Sequence, residues 1–183
     1  MSEPRNVGSR VDRWLSIFAV VGAICAMAIS LYQAQLAREQ QRASAWPYVT
    51  QSSSYVAGRP YTRQIENVGV GPARVRSFVV QVDGKPVRGW YAAVIALTGR
   101  EEPGLAHSTF GRGSVLPAGA RTVLLELRDE PVAGAFSTAA QARLETIVCY
   151  CSIYDECWRA GPGNGEAVSV QECPVVEPAQ VGG

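Results

Sequence analysis

Histidine is nearly absent from the chain. His107 stands alone, in GLAHSTFGRG, so any hydrolytic triad or histidine-bearing metal site would have to be built on that one imidazole. No Gly-x-Ser-x-Gly elbow supplies a nucleophile, and Gly161-Pro162-Gly163-Asn164-Gly165 lacks the lysine and helix of a phosphate loop. Lysine is also scarce: of 17 basic residues only Lys85 is one, a bias usual in GC-rich coding and therefore a bacterial sign. An excess of either charge is missing too. The net charge of +1, with acids and bases mixed along the chain, gives no electrostatic footprint for nucleic acid. The acid pairs Glu101-Glu102, Asp129-Glu130 and Asp155-Glu156 are adjacent in sequence, so in strands they would face opposite sides; they read as solvated turns. These absences point away from an enzyme, and no cofactor or resident metal is expected.

What is present begins with WLSIFAVVGAICAMAISLY, residues 14–32, which carries no charge. At 1.5 Å per residue it spans about 28 Å, the thickness of a bilayer's hydrocarbon core, with Trp14 and Tyr32 placed for the headgroup level. A signal peptide would have a shorter apolar region and a small-x-small site after it; here Ala26-Met27-Ala28 lies inside the run. Ile24 before Cys25 departs from a lipoprotein site. The reading is a retained transmembrane helix over 14–32, with a cytoplasmic N-terminus over 1–13. Arg5, Arg10 and Arg13 against Arg38 and Arg42 favour that orientation by a narrow margin. Gly22, Ala26 and Ser30 recur every four residues, a small-residue face on which a second copy of the helix would pack as a homodimer, although such spacings also arise by composition alone. QAQLAREQQRA consists of helix formers, so a helical stalk is expected over 33–46, ended by Pro47.

Residues 47–173 read as one exported, mainly β domain, followed by a disordered tail over 174–183. Residues 48–56, 61–66, 121–127, 144–153 and 166–173 read as strands, and Asp83-Gly84 between apolar runs signals a hairpin. Residues 90–97 (WYAAVIAL) fit a short helix or a buried strand, residues 135–142 have helix-forming composition, and 98–113 reads as a long loop. About seven short strands separated by Gly/Pro turns suggest an antiparallel β-sandwich.

WPYV soon after a helix, followed by ENVGVGPARVRSFVVQVDGKPV, resembles a pattern in bacterial single-pass membrane-anchored proteins whose exported part is an immunoglobulin-like β-sandwich. Trp46, Pro47, Asn67, Gly69, Gly71, Pro72, Ala73, Asp83 and Gly84 carry it. The resemblance implies a fold and no activity. Read from the residues, Asn67 to Ala73 is a strand leaving a tight bend, its glycines taking backbone angles other residues avoid and Pro72 fixing the exit.

Four of the five cysteines fall late: Cys149, Cys151, Cys157 and Cys173. An even number in an exported domain implies disulfides, and four allow three pairings. Cys149 and Cys151 share one strand face, so each should reach a different segment. A reversal near residues 153–155 would set Cys151 opposite Cys157 and leave Cys149 for Cys173, with the crossed pairing as the alternative. A four-thiolate zinc site fits Cys149-x-Cys151-x5-Cys157 poorly, since structural sites use Cys-x2–4-Cys knuckles. A redox pair would need a helix N-terminus or a cation that the sequence does not display. Cys25 is a small apolar residue of the span.

The functional expectation is a non-enzymatic bacterial inner-membrane protein. It contacts lipid through its helix and presents a periplasmic or extracellular sandwich to another envelope protein. The alternative is a ligand-binding or sensory module using the 98–113 loop with Trp90, Tyr91, Trp46 and Trp158, though packing explains those aromatics more simply.

Overall fold

A single helix and a β-rich domain follow one another in the computed structural model, which describes residues 8–102, 104–111, 113–161 and 166–174. Most of the N-terminal segment, the tail beyond Pro174 and the centre of the 161–165 turn lie outside the described residues.

Helix α1 (Gly8–Ser44) runs unbroken for 37 residues. An amphipathic helix of a water-soluble protein buries its apolar stripe, but here Trp14, Leu15, Phe18 and Met27 are each more than half exposed. An 18-residue window reaches a mean hydropathy of 2.3, and the helix is long and apolar enough to cross a membrane. It ends at Ser44, two residues short of the expected stalk boundary. The cause is local: the Trp46 carbonyl accepts from the Val70 and Gly71 amides at 3.0 and 3.1 Å, which commits that residue to the domain.

The domain contains β1 (Val49–Ser54), β2 (Tyr61–Asn67), β3 (Ala73–Val82), β4 (Lys85–Pro86), α2 (Gly89–Thr98), β5 (Ala106–His107), β6 (Val115–Leu116), β7 (Arg121–Leu127), α3 (Glu130–Arg143), β8 (Leu144–Cys151), β9 (Cys157–Ala160) and β10 (Ala167–Val170). One sheet has the order β1-β2-β7-β5; the other has β10-β9-β8-β3-β4, with β6 on β3. Every pairing is antiparallel. Val49, Ile65, Leu125 and Leu127 of the first sheet share one core with Phe78, Val80, Val148 and Tyr150 of the second, a sandwich-like arrangement. The β3–β4 hairpin turns at Asp83-Gly84, both with positive φ as the type I′ turn requires. Asp83 also accepts from Arg143 Nε and Nη2 at 2.8 and 2.7 Å, and this pair holds its carboxyl below the usual range.

Residues 90–97 form a helix. Trp90, Ala93, Val94 and Leu97 of α2 are buried against α3 and β3, and Trp90 Nε1 donates to the Ser108 carbonyl at 3.2 Å. Helix α3 begins earlier than its composition indicated. Asp129 caps it by accepting from the Val132 amide at 3.1 Å, with Pro131 in the first turn, so this acid pair is not merely a solvated turn. Phe136 packs edge-on against Tyr61, ring centroids 5.0 Å apart, which ties α3 to β2.

Candidate functional site

Neighbouring backbones, more than unusual dihedral angles, account for the glycines of the Asn67–Ala73 segment. Neither Gly69 nor Gly71 has positive φ, which corrects the expectation from sequence. A Cβ on Gly69 would overlap the Tyr48 amide nitrogen and the Trp46 carbonyl oxygen; one on Gly71 would overlap the Ala45 backbone. The bend is pressed against the first residues of the domain. Asn67, fully buried at the end of β2, holds the two together. Its Oδ1 accepts from the Tyr48 and Gly69 amides, each at 3.1 Å. Its Nδ2 donates to the carbonyls of Gly71, Leu116 and Pro117 at 2.8, 3.0 and 3.2 Å.

The cysteines cluster at the far edge of the second sheet. Because Thr146, Val148 and Tyr150 of β8 turn toward the core, Cys149 and Cys151 lie on the opposite face, under the segment carrying Cys173. Cys151 sits opposite Cys157 in the β8–β9 ladder and is joined to it; Cys149 is joined to Cys173, 24 residues on. The Cys151 and Cys173 sulfurs are 3.9 Å apart. The Sγ atoms of Cys151, Cys157 and Cys173 fall within 4.8 Å of one another, so this donor set would fit a metal only after both bonds were reduced. Cys25, the remaining cysteine, is free on α1.

The connecting turn is held by Ser152, whose Oγ accepts from the Tyr154 and Glu156 amides, and by Asp155, whose Oδ1 accepts from Arg74 and Arg76 at 3.0 Å each. Arg76, Asp155, Glu172 and the Cys151–Cys157 pair line an open cavity of about 450 Å³. Arg76 is the basic residue of that wall; it shares Asp155 with Arg74, and Glu172 adds a second carboxylate to the lining, so the wall is not a strong anion site.

Most described residues of the 98–113 segment are exposed, and Glu102 and Phe110 are its buried points. Trp90 and Phe110 are in the core, and Phe110 stands edge-on to Phe78 with centroids 5.8 Å apart. Glu102, expected in a solvated turn, is 7% exposed, and its Oε1 lies within hydrogen-bond distance of the Arg128 and Asp129 amides. His107 is exposed on β5. Trp158 stacks on Tyr150, with centroids 5.9 Å apart. The Tyr150 hydroxyl accepts from the buried Val49 amide at 3.1 Å, and burial pushes its pKa up. Trp46 and Tyr91 remain exposed.

On α1, Gly22, Ala26 and Ser30 are exposed, and the Ser30 hydroxyl donates to the Ala26 carbonyl at 2.8 Å. That serine is satisfied within its own helix.

A second cavity lies where β1 and β2 meet α3, and Arg63, which the sequence reading passed over, projects beside it. Comparison of the chain with protein-family models, curated proteins and solved structures found no match in any of the three. The functional reading therefore rests on the chain itself.

Proposed function

We propose that the chain is a non-enzymatic, single-pass protein of the bacterial inner membrane, N-terminus in the cytoplasm, whose exported domain makes protein–protein contacts in the envelope. The observation that carries this reading is the division of the cysteines. All four in the domain are paired, whereas the one on the apolar helix is free. Disulfides persist in oxidising compartments, and a helix with no buried apolar face needs lipid around it.

The domain reads as immunoglobulin-like. The order β1-β2-β7-β5 corresponds to strands A-B-E-D and β4-β3-β8-β9 to C′-C-F-G, with α2 following C′ and α3 between E and F. The bonds fall on the β8–β9 side of one sheet instead of linking the two sheets through B and F. Strand β10 is the outermost of its sheet, and Val168 on it is 61% exposed. An edge of this kind offers unpaired backbone groups to a partner strand. A photocrosslinker at Val168 in native membranes should give one defined adduct with another envelope protein, and Val168→Lys should weaken that contact. Recovery of monomer alone would overturn the reading.

A further inference from the structure

We propose that the cavity bounded by β1, β2 and α3 binds a small organic carboxylate, with Arg63 as its cationic contact. Alternation along β2 places Tyr61, Arg63 and Ile65 on the inner face of the sheet. Tyr61 and Ile65 are buried in the core, so an arginine occupies an apolar row at the point where the β2–β7 ladder bulges. Its surroundings are polar but uncharged. Arg63 Nη2 donates to Thr146 Oγ1 at 2.6 Å, the Thr146 hydroxyl meets Gln51 Oε1, and Gln51 Nε2 returns to the Thr146 carbonyl at 3.1 Å. That circuit consumes the acceptors of Thr146 and Gln51 and supplies no negative charge. Arg63 Nε is buried with no hydrogen-bond partner among the described residues.

Among the described residues, Arg74, Arg76, Arg121, Arg128 and Arg143 each pair with a carboxylate and Arg63 pairs with none. Arg63 is half-buried, with its Nε fully enclosed, and a guanidinium partly withdrawn from water without a counter-charge carries a desolvation penalty. The adjoining cavity of about 370 Å³ is where an anion would offset that penalty. Besides Arg63 it is lined by Ser53, Tyr55, Tyr61, Ser137 and Gln141, and no acidic residue is among its walls. None of those five side chains is engaged in a hydrogen bond among the described residues, which leaves four hydroxyls and an amide for a ligand. Gly134 on α3 makes the room: a Cβ there would stand 2.9 Å from the Tyr55 hydroxyl oxygen.

Size selects the class of ligand. The cavity is about twelve times the ~30 Å³ share of one water molecule and falls in the range of small-molecule sites, so a bare ion would leave most of it unfilled. Arginine matches a carboxylate, the serines and the amide match hydroxyl or carbonyl groups, and the two tyrosine rings match a flat or aliphatic body. The site goes beyond the protein-contact reading and does not depend on it.

The test uses the full-length, disulfide-intact chain in detergent, with its melting midpoint followed against benzoate and gluconate. Benzamide and glucose serve as neutral counterparts and inorganic phosphate as the small oxyanion. At least one carboxylate should raise the midpoint at millimolar concentration while its neutral counterpart does not. Arg63→Met should weaken that binding by about tenfold or more, the scale of one lost charge-assisted hydrogen bond. Ser137→Phe fills the cavity from α3 with Arg63 in place and should abolish the response; it decides the matter if Arg63→Met fails to fold. No response to either carboxylate, an equal response to the neutral compounds, a response to phosphate alone, or undiminished binding by Ser137→Phe would each overturn the proposal.

Discussion

Replacing Asn67 by alanine should cost the domain about 3–5 kcal/mol, because one side chain satisfies groups from three separate segments. The Nδ2 hydrogens serve three carbonyls, so at least one hydrogen is shared. Removing them strands the buried contacts to Gly71 and Leu116, each worth about 1–3 kcal/mol as an unmet polar group. The Pro117 carbonyl and the Tyr48 and Gly69 amides are less enclosed, and water recovers part of their loss. Asn67→Asp is the sharper variant. It keeps an acceptor for the two amides but turns a second carboxylate oxygen toward the carbonyls, so ionisation is disfavoured and its folded pKa rises above the unfolded value of about 3.9. With the native state holding the proton more tightly, this variant is most stable below that value and weakens as pH rises through the interval up to its folded pKa. Urea unfolding of the disulfide-intact protein, followed by tryptophan fluorescence at several pH values, measures both effects. A loss below about 1 kcal/mol in Asn67→Ala, or an Asn67→Asp curve parallel to wild type across the acid range, would refute the assigned hydrogen bonds.

Gly71→Ala should be as damaging as Asn67→Ala, about 3 kcal/mol or more, because the added carbon meets Ala45 backbone instead of a movable side chain; the same urea titration checks it. Tyr150→Phe leaves the Val49 amide without its acceptor and should cost about 1–3 kcal/mol at neutral pH. Since the folded pKa of Tyr150 is raised, wild-type stability is undiminished by this group below about pH 10 and falls above it, and the phenylalanine variant should lack that contribution. Paired serine replacement of Cys149 and Cys173, 24 residues apart, should destabilise by about 3.5 kcal/mol in the chain-entropy model. The closer pair Cys151 and Cys157, six apart, should give about 2.4 kcal/mol, and a reversed order in calorimetry would contradict the assignment of the longer loop.

The parts of this structure visible in the sequence are those with local causes. The uncharged run from Trp14 to Tyr32, the Asp83-Gly84 turn and the strand over 121–127 each carry their signal within a few residues. Helix α2 resisted assignment because WYAAVIAL is apolar all round, which is how a fully packed helix and a buried strand both read. The start of α3 carries a local signal, an Asp cap before Glu-Pro, but two adjacent acids look the same in a solvated turn. Gly69 and Gly71 are constrained by Ala45 to Tyr48, a partner invisible to local pattern, so their presence suggested a dihedral cause that the backbone does not show. Arg63 was legible in principle. In Tyr-Thr-Arg-Gln-Ile the period of two sets it on the apolar face, and an arginine there calls for a counter-charge.

The most direct test of a membrane-anchored chain with an oxidised exported domain is the mass of the protein retained in carbonate-washed membranes after denaturation and alkylation without reductant. One adduct, on Cys25, is the expected result. Alkylation of all five cysteines, or release of the chain into the carbonate supernatant, would contradict the account.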